Sequence, residues 1–482
     1  MRRSRPTGWL VLAGSLLLTA LPATGAERPA PGTPAYLLAD AANVAAAYGR
    51  QTAPDGQLTP SYLLALNAQV GPALAGQLLE QAASPTRPAL TPGALVPGWN
   101  VGNPYRAGWD GTRGQQVRVA FPNRYGAQLR GTLYAPLPGA RDPYTGEVLR
   151  GPFPGVVITP GSVQGSQRMY EWLAQDLAER GYLVLGYDVQ GQGTSETLPH
   201  TGGGALPSCD PLAAPTGDEL FGCPGVPSQQ EANFTTGTVD AVDFLLSTPA
   251  APARGAINPL WQLFDRSPDP RPATPGRTTR LAVVGHSLGG TAVSKVQATD
   301  TRVAAVVALD KLQSDGTVPR VPALAVQSEY GFSVTPYPLS GGSSIAPQPV
   351  DPATGPDPRR ERATGFDAWQ AAGVDTALVV PRASTHLEYT DIPLALPASR
   401  YGQAVTSHYV QAWLDRYVAH DRTADARLTT ERLRYLQPTA AGWRPVSLLR
   451  DGQLSGYYCS AADFRLSGGA RVRLQDVTGV GC

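Results

Sequence analysis

The stretch Leu281-Ala282-Val283-Val284-Gly285-His286-Ser287-Leu288-Gly289-Gly290-Thr291-Ala292-Val293-Ser294-Lys295-Val296 decides the fold. Leu281 to Val284 is a short apolar run rich in β-formers, and Thr291 to Val296 can start a helix. Between them lies Gly-x-Ser-x-Gly. A strand, this pentapeptide and a helix together form a turn so tight that the serine is held in a strained backbone conformation. Small residues two before and two after Ser287 let strand and helix approach closely. The Ser287 hydroxyl is then presented at the C-terminal edge of a sheet, placed to attack a carbonyl carbon.

The flanking sequence repeats the same alternation of buried strand and helix. Val117 to Phe121 and Gln128 to Tyr134 alternate in polarity around an Asn123-Arg124-Tyr125-Gly126 turn, which predicts a hairpin. Val156 to Ile158, Leu183 to Leu185, Val303 to Leu309, Ala323 to Val326 and Ala377 to Val380 are apolar without alternation. Tyr170 to Arg180, Ala232 to Leu246 and a last segment with Tyr409, Trp413 and Tyr417 follow helical spacing. Non-alternating strands separated by helices predict a mostly parallel central sheet covered by helices on both faces. Two Pro- and Gly-rich insertions, about 190–230 and 330–362, follow strands and are expected at the catalytic edge, as lids or substrate walls.

A serine hydroxyl needs a base to become nucleophilic. Among five histidines, His386 follows the strand ending at Val380 and precedes the last helix, so its loop can reach Ser287. His200 lies in an insertion. His286 sits on the turn with its side chain expected to point away from the reaction, and His408 and His420 are expected at the surface. The base in turn needs a carboxylate to hold its tautomer. Glu329, after the strand Ala323 to Val326, is slightly favoured, with Asp310, after the strand ending at Leu309, as its rival. Asp310 could instead pair with Lys311. An oxyanion hole requires backbone N–H donors. The candidates are Leu288, next to the serine, and Ser162, in the Thr159-Pro160-Gly161-Ser162-Val163 loop. Tyr170 and Trp172 are candidate substrate-binding surface, with core packing as the alternative.

These residues together resemble the α/β-hydrolase superfamily of serine hydrolases, over about residues 115–422. The resemblance rests on the Ser287 turn, the Pro160-Gly161 loop, the late His386 and Asp188-Val189-Gln190-Gly191-Gln192-Gly193-Thr194-Ser195, a common superfamily turn read as structural. Ile158 to Ser162, Trp172-Leu173-Ala174 and Arg180 to Val184 are similar to bacterial cutinases and polyester hydrolases. Those enzymes carry an Asp where this chain has Gly331. The resemblance implies an α/β-hydrolase fold, oxyanion donors at Ser162 and Leu288, and hydrolysis of carboxylic esters through an acyl-enzyme on Ser287. The same groups could serve an acyltransferase or amidase, or the scaffold could be a non-catalytic binding protein.

The chain of 482 residues carries a net charge of +1 and no basic stripe, which argues against a nucleic-acid partner. Arg2, Arg3 and Arg5, the apolar Trp9 to Leu21 and the small residues Ala23 to Ala26 read as a secretory leader, residues 1–25. No later apolar run approaches a membrane span, so no stable membrane insertion is expected. Cys209, Cys223, Cys459 and Cys482 make an even set suited to an oxidising compartment, with Cys209–Cys223 and Cys459–Cys482 favoured by proximity over the other pairings. The expected location is extracellular or periplasmic. Residues 26–114 read as a helical and irregular extension, with Leu74, Leu78 and Ala82 as an apolar stripe, and 423–482 as a small disulfide-closed appendage. The expected partner is a small-molecule or polymeric ester. No metal and no organic cofactor is implied, although Asp351, Asp357 and Glu361 could hold Ca²⁺.

Overall fold

A computed structural model describes residues 29–30, 32–54, 56–84, 101–162, 166–199, 231–267, 280–310, 312–314, 317–340, 365–392, 400–450, 452–455 and 462–466. The leader, the four cysteines, His200, Lys311, Asp351, Asp357, Glu361 and most of both insertions lie outside them.

The alternating segments form an antiparallel hairpin of β1 (Gln115–Pro122) and β2 (Gln128–Ala135). The non-alternating runs become strands buried at every position: β3 (Gly155–Thr159), β4 (Leu183–Tyr187), β5 (Leu281–His286), β6 (Ala305–Leu309), β7 (Ala323–Val326) and β8 (Thr376–Val379). A further hairpin, β9 (Arg432–Thr439) and β10 (Gly442–Leu449), forms a separate two-stranded sheet. The last described strand, β11 (Ala462–Arg465), pairs antiparallel with β8. Among the described residues the main sheet has nine strands in the order β1-β2-β4-β3-β5-β6-β7-β8-β11. Every neighbouring pair from β4 to β8 is parallel. The fold is therefore mixed α/β, with a large, mostly parallel sheet flanked by helices. Strands wholly buried on both faces need no polar alternation, which is why they read as continuous apolar runs.

Among the described residues the α-helices of five residues or more are α1 (Pro34–Thr52), α2 (Pro60–Ala83), α3 (Glu171–Ala178), α4 (Glu231–Leu246), α5 (Leu288–Thr299), α6 (Phe366–Ala371), α7 (Arg400–Tyr417) and α8 (Ala424–Leu428). Among the described residues no helix is long and apolar enough to cross a membrane. α1 and α2 fill the N-terminal extension, but not through the expected stripe. Leu78 is 44% exposed and Ala82 is exposed. α2 packs instead through Tyr62 and Leu66 against Val101, and α1 buries Tyr36, Asp40, Asn43, Ala47 and Gln51. These recur at three- and four-residue spacing and so share one face, and that face is largely polar.

The C-terminal segment is likewise no detached appendage, because β11 extends the main sheet. The β9–β10 hairpin docks through buried Arg106. Its guanidinium donates to Asp176 at 2.8 Å and to the Tyr435 hydroxyl at 2.9 Å, with the Trp443 ring 5.0 Å away.

All the parallel strands end at one edge, and the turn from β5 to α5 is its tightest point. Ser287 is left-handed there, at φ 54° and ψ −121°. A β-carbon on Gly285 would sit 2.1 Å from the Gly289 carbonyl oxygen. One on Gly289 would sit 2.4 Å from the carbonyl oxygens of both Thr159 and Pro160. Backbone occupies both spaces, so no side chain can swing aside to make room. Gly289→Ala is expected to cost about 3 kcal/mol of stability or more. A denaturant midpoint equal to that of the wild type would contradict this.

Candidate active site

Backbone hydrogen bonds set the positions of the strand tips. The Ser287 N–H donates to the Leu309 carbonyl at 3.0 Å, which places Asp310 beside the turn. The Asp310 N–H donates to Val326 at 2.7 Å, and the His386 N–H donates to Gly331 at 2.9 Å. The loop leaving β8 therefore crosses the tip of β7 and reaches the tip of β6.

There His386 Nδ1 donates to Asp310 Oδ2. Both side chains are buried, whereas Ser287 and Leu288 are partly exposed. Asp310 is itself left-handed, at φ 53°, and its second oxygen accepts from Gln327 Nε2 at 2.9 Å and Ser328 N at 3.1 Å. Burial alone would raise the Asp310 carboxyl. The charge and hydrogen bond of His386, with the bonds from Ser328, outweigh it and hold the group down at about 2. With Nδ1 committed as donor to Asp310, Nε2 of His386 is the nitrogen that carries a lone pair.

Glu329 is corrected as the partner of His386. One of its oxygens accepts from Asn43 Nδ2 at 2.8 Å and from the Ala383 N–H, and the other accepts from the Ser455 hydroxyl. The reason lies in chain direction. Asp310 immediately follows β6 and turns sharply, whereas Glu329 lies beyond the end of β7, on the side where α1 and the C-terminal segment pack.

Tyr170 and Trp172 are corrected as substrate surface, since both are buried. Trp172 Nε1 donates to the Tyr389 carbonyl at 3.2 Å. The Tyr170 hydroxyl accepts from the Gly161 N–H at 3.0 Å and contacts His286 Nδ1 at 2.7 Å. His286 Nε2 lies 2.8 Å from the His386 carbonyl oxygen. A carbonyl only accepts, so His286 carries its proton on Nε2 and Nδ1 accepts from Tyr170. The chain of donors runs one way: Gly161 N–H, Tyr170 O–H, His286 Nε2–H, His386 carbonyl. Burial pushes the Tyr170 hydroxyl up, which keeps it protonated as that donor. The His286 ring therefore faces His386, where the sequence leads one to expect it to point away from the reaction. His408, expected at the surface, is buried on α7, and its Nε2 meets the Arg427 carbonyl at 2.9 Å.

The Gly161 loop lies directly against the nucleophile turn. A β-carbon there would come within 2.9 Å of His286 Nδ1 and 3.2 Å of Ser287 Cβ. Ser162 follows it and is partly exposed, as is Leu288 at the start of α5. The Asp188 turn is structural: its carboxylate accepts from Gln167 N at 2.7 Å and from Thr194 N at 2.8 Å.

One residue at the site escaped the sequence reading. Phe332 is partly exposed and stands edge-on to His386, ring centroids 5.1 Å apart. Its signal was its place two residues after Tyr330, in an insertion already expected at this edge.

No family model matches the chain. It is similar to an uncharacterized protein of Pseudomonas aeruginosa, 32% identical over 134 residues, which is 27% of this chain and 34% of that protein. The chain thus matches about a third of that relative's length.

Two measurements probe this geometry. The Asp310 carboxyl is lower in the folded chain than the ~3.9 of an unfolded aspartate, so the pair stabilises the fold above that value. Its contribution is lost as pH falls through about 4 towards about 2. The stability gap between wild type and Asp310→Asn should narrow over that window, as followed by denaturant titration. Separately, Tyr170→Phe leaves Gly161 N–H and His286 Nδ1 short of a buried partner and should cost about 1–3 kcal/mol. An unchanged midpoint would refute the one-way chain.

Proposed function

We propose that this protein is a serine hydrolase of the α/β-hydrolase fold that cleaves carboxylic esters. The observation that carries the reading is the buried His386–Asp310 pair beside the left-handed Ser287. Nucleophile, acid and base follow in the chain order Ser, Asp, His, each just after a parallel strand, as in the α/β-hydrolase arrangement.

In this reading His386 Nε2 takes the Ser287 proton while Oγ attacks the ester carbonyl carbon. Negative charge moves to the carbonyl oxygen, where the N–H groups of Ser162 and Leu288 receive it. Asp310 holds the ring and stabilises the imidazolium without taking its proton. The imidazolium then protonates the leaving alcohol, and the acyl group stays on Ser287. Water, deprotonated by His386, adds to the acyl-enzyme, and the carboxylic acid leaves as Ser287 is reprotonated. Phe332 flanks the reacting groups as apolar substrate wall. The basic, apolar and small-residue leader and the even cysteine set support an exported location. Sequencing the N-terminus of the mature protein tests it.

A chain-length series of aryl esters, a polyester film and an added acceptor alcohol test substrate class and separate hydrolysis from transfer. Ser287→Ala should abolish labelling by a fluorophosphonate and lower kcat by about 10⁴-fold or more. Asp310→Asn should lower kcat by about 10³–10⁴-fold. Wild-type turnover in Ser287→Ala would overturn the proposal.

A further inference from the structure

We infer that Glu329 is a positioning residue through which the N-terminal helix α1 and the C-terminal segment jointly hold the His386 loop in its working shape. This rests on the assignment of His386 as the base.

The loop from Pro381 to His386 makes a turn that resists its own backbone. Ala383 is left-handed, at φ 54°, a conformation that a residue with a β-carbon adopts only when its surroundings enforce it. The enforcing contact is the Glu329 carboxylate, which accepts the Ala383 N–H. The neighbouring backbone extends the grip. Glu329 N–H donates to Ser384 Oγ at 3.1 Å, Tyr330 N–H to the Ser384 carbonyl at 2.9 Å, and His386 N–H to Gly331 at 2.9 Å. His386 thus stands at the end of a segment fastened rung by rung to residues 329–331.

Glu329 is in turn held from two distant parts of the chain. From α1, Asn43 Nδ2 donates to Glu329 at 2.8 Å and to the Tyr330 hydroxyl at 3.0 Å, and Asn43 Oδ1 accepts from Arg382 Nε at 2.8 Å. Arg50, also on α1, donates to the Arg382 carbonyl at 2.6 Å. From the C-terminal side, the Ser455 hydroxyl donates to Glu329, and its N–H donates to the Val380 carbonyl at 2.8 Å. Arg382 N–H donates to the Gln453 carbonyl at 2.7 Å. Glu329 is fully buried, so the bonds that its carboxylate accepts are shielded from water. Ala47, Tyr330, Val334 and Ala383 form a small apolar cluster over the same spot. The two terminal extensions therefore meet behind the base, and their function in the molecule is to shape it.

The test uses the full-length protein. Asn43→Ala, Ser455→Ala and Glu329→Ala each remove one arm or the hub. Each should lower kcat on an aryl ester by about 10-fold or more while KM shifts less than about threefold. Backbone amide exchange over 381–390 should accelerate in each variant. Glu329→Gln, which keeps an acceptor for Ala383, should retain most of kcat, far from the loss at Asp310→Asn. Ala383→Gly, which relieves the left-handed strain, should restore part of the kcat lost in Glu329→Ala. Unchanged exchange and unchanged kcat in Asn43→Ala and Ser455→Ala would overturn the inference. So would a Glu329→Gln loss matching that of Asp310→Asn, which would mark Glu329 as the triad acid. A wild-type protein inert to esters, with loop exchange still dependent on Asn43, would sink the proposed function and leave the clamp standing.

Discussion

The crossing of β5, α5 and the loop after β3 admits no side chain, and the rest of the molecule is arranged around that fact. Gly289 lies against the carbonyls of Thr159 and Pro160, and Gly285 against Gly289. With the backbone segments in contact, Ser287 has no relaxed conformation open to it and is left-handed. The same closeness places Gly161 against the serine and fastens Ser287 N–H to the end of β6. Asp310 thereby lands within reach of His386. A steric exclusion at two glycines thus propagates, through main-chain hydrogen bonds, into the spacing of Ser287, Asp310 and His386.

Much of this was legible in the sequence, for identifiable reasons. Strands buried on both faces leave an unbroken apolar signature, and a turn that must exclude β-carbons leaves glycines at fixed offsets. Ser287 and His386 could be read because each follows a strand with such a signature. The acid could not be settled the same way. Asp310 and Glu329 both follow buried strands, and what separates them is the path of the His386 loop over β7, which no local pattern encodes. For Tyr170 and Trp172 the sequence leaves substrate surface and core packing both open, because aromatic side chains near a site look alike in either place, and their burial decides for the core. The N-terminal extension is helical, but only α2 docks by apolar periodicity, through Tyr62 and Leu66 with Val70 and Ala73, whereas α1 docks through the largely polar set Tyr36, Asp40, Asn43 and Gln51, which such a search passes over.

Two buried carboxylates thus do separate work on either side of one loop. Asp310 meets the imidazole and is held ionised by it. Burial pushes the Glu329 carboxyl up, and bonds from Ser455, Asn43 and Ala383 pull against that rise. One acts on the ring and the other on the backbone that carries it. Each is within hydrogen-bond reach of residues brought from elsewhere in the chain, so the geometry of the His386 loop is a property of the whole fold.

The strand β11 has a consequence of a different kind. An open parallel sheet ends in a row of unpaired peptide groups, a template on which another chain can add itself. Beside β8 that row is taken up by Ala462-Asp463-Phe464-Arg465, a strand of only four residues running the opposite way. Short length and two charged side chains make it a poor seed for growth. Ending the sheet on so short a strand limits the edge along which the apolar central strands could pair with another chain.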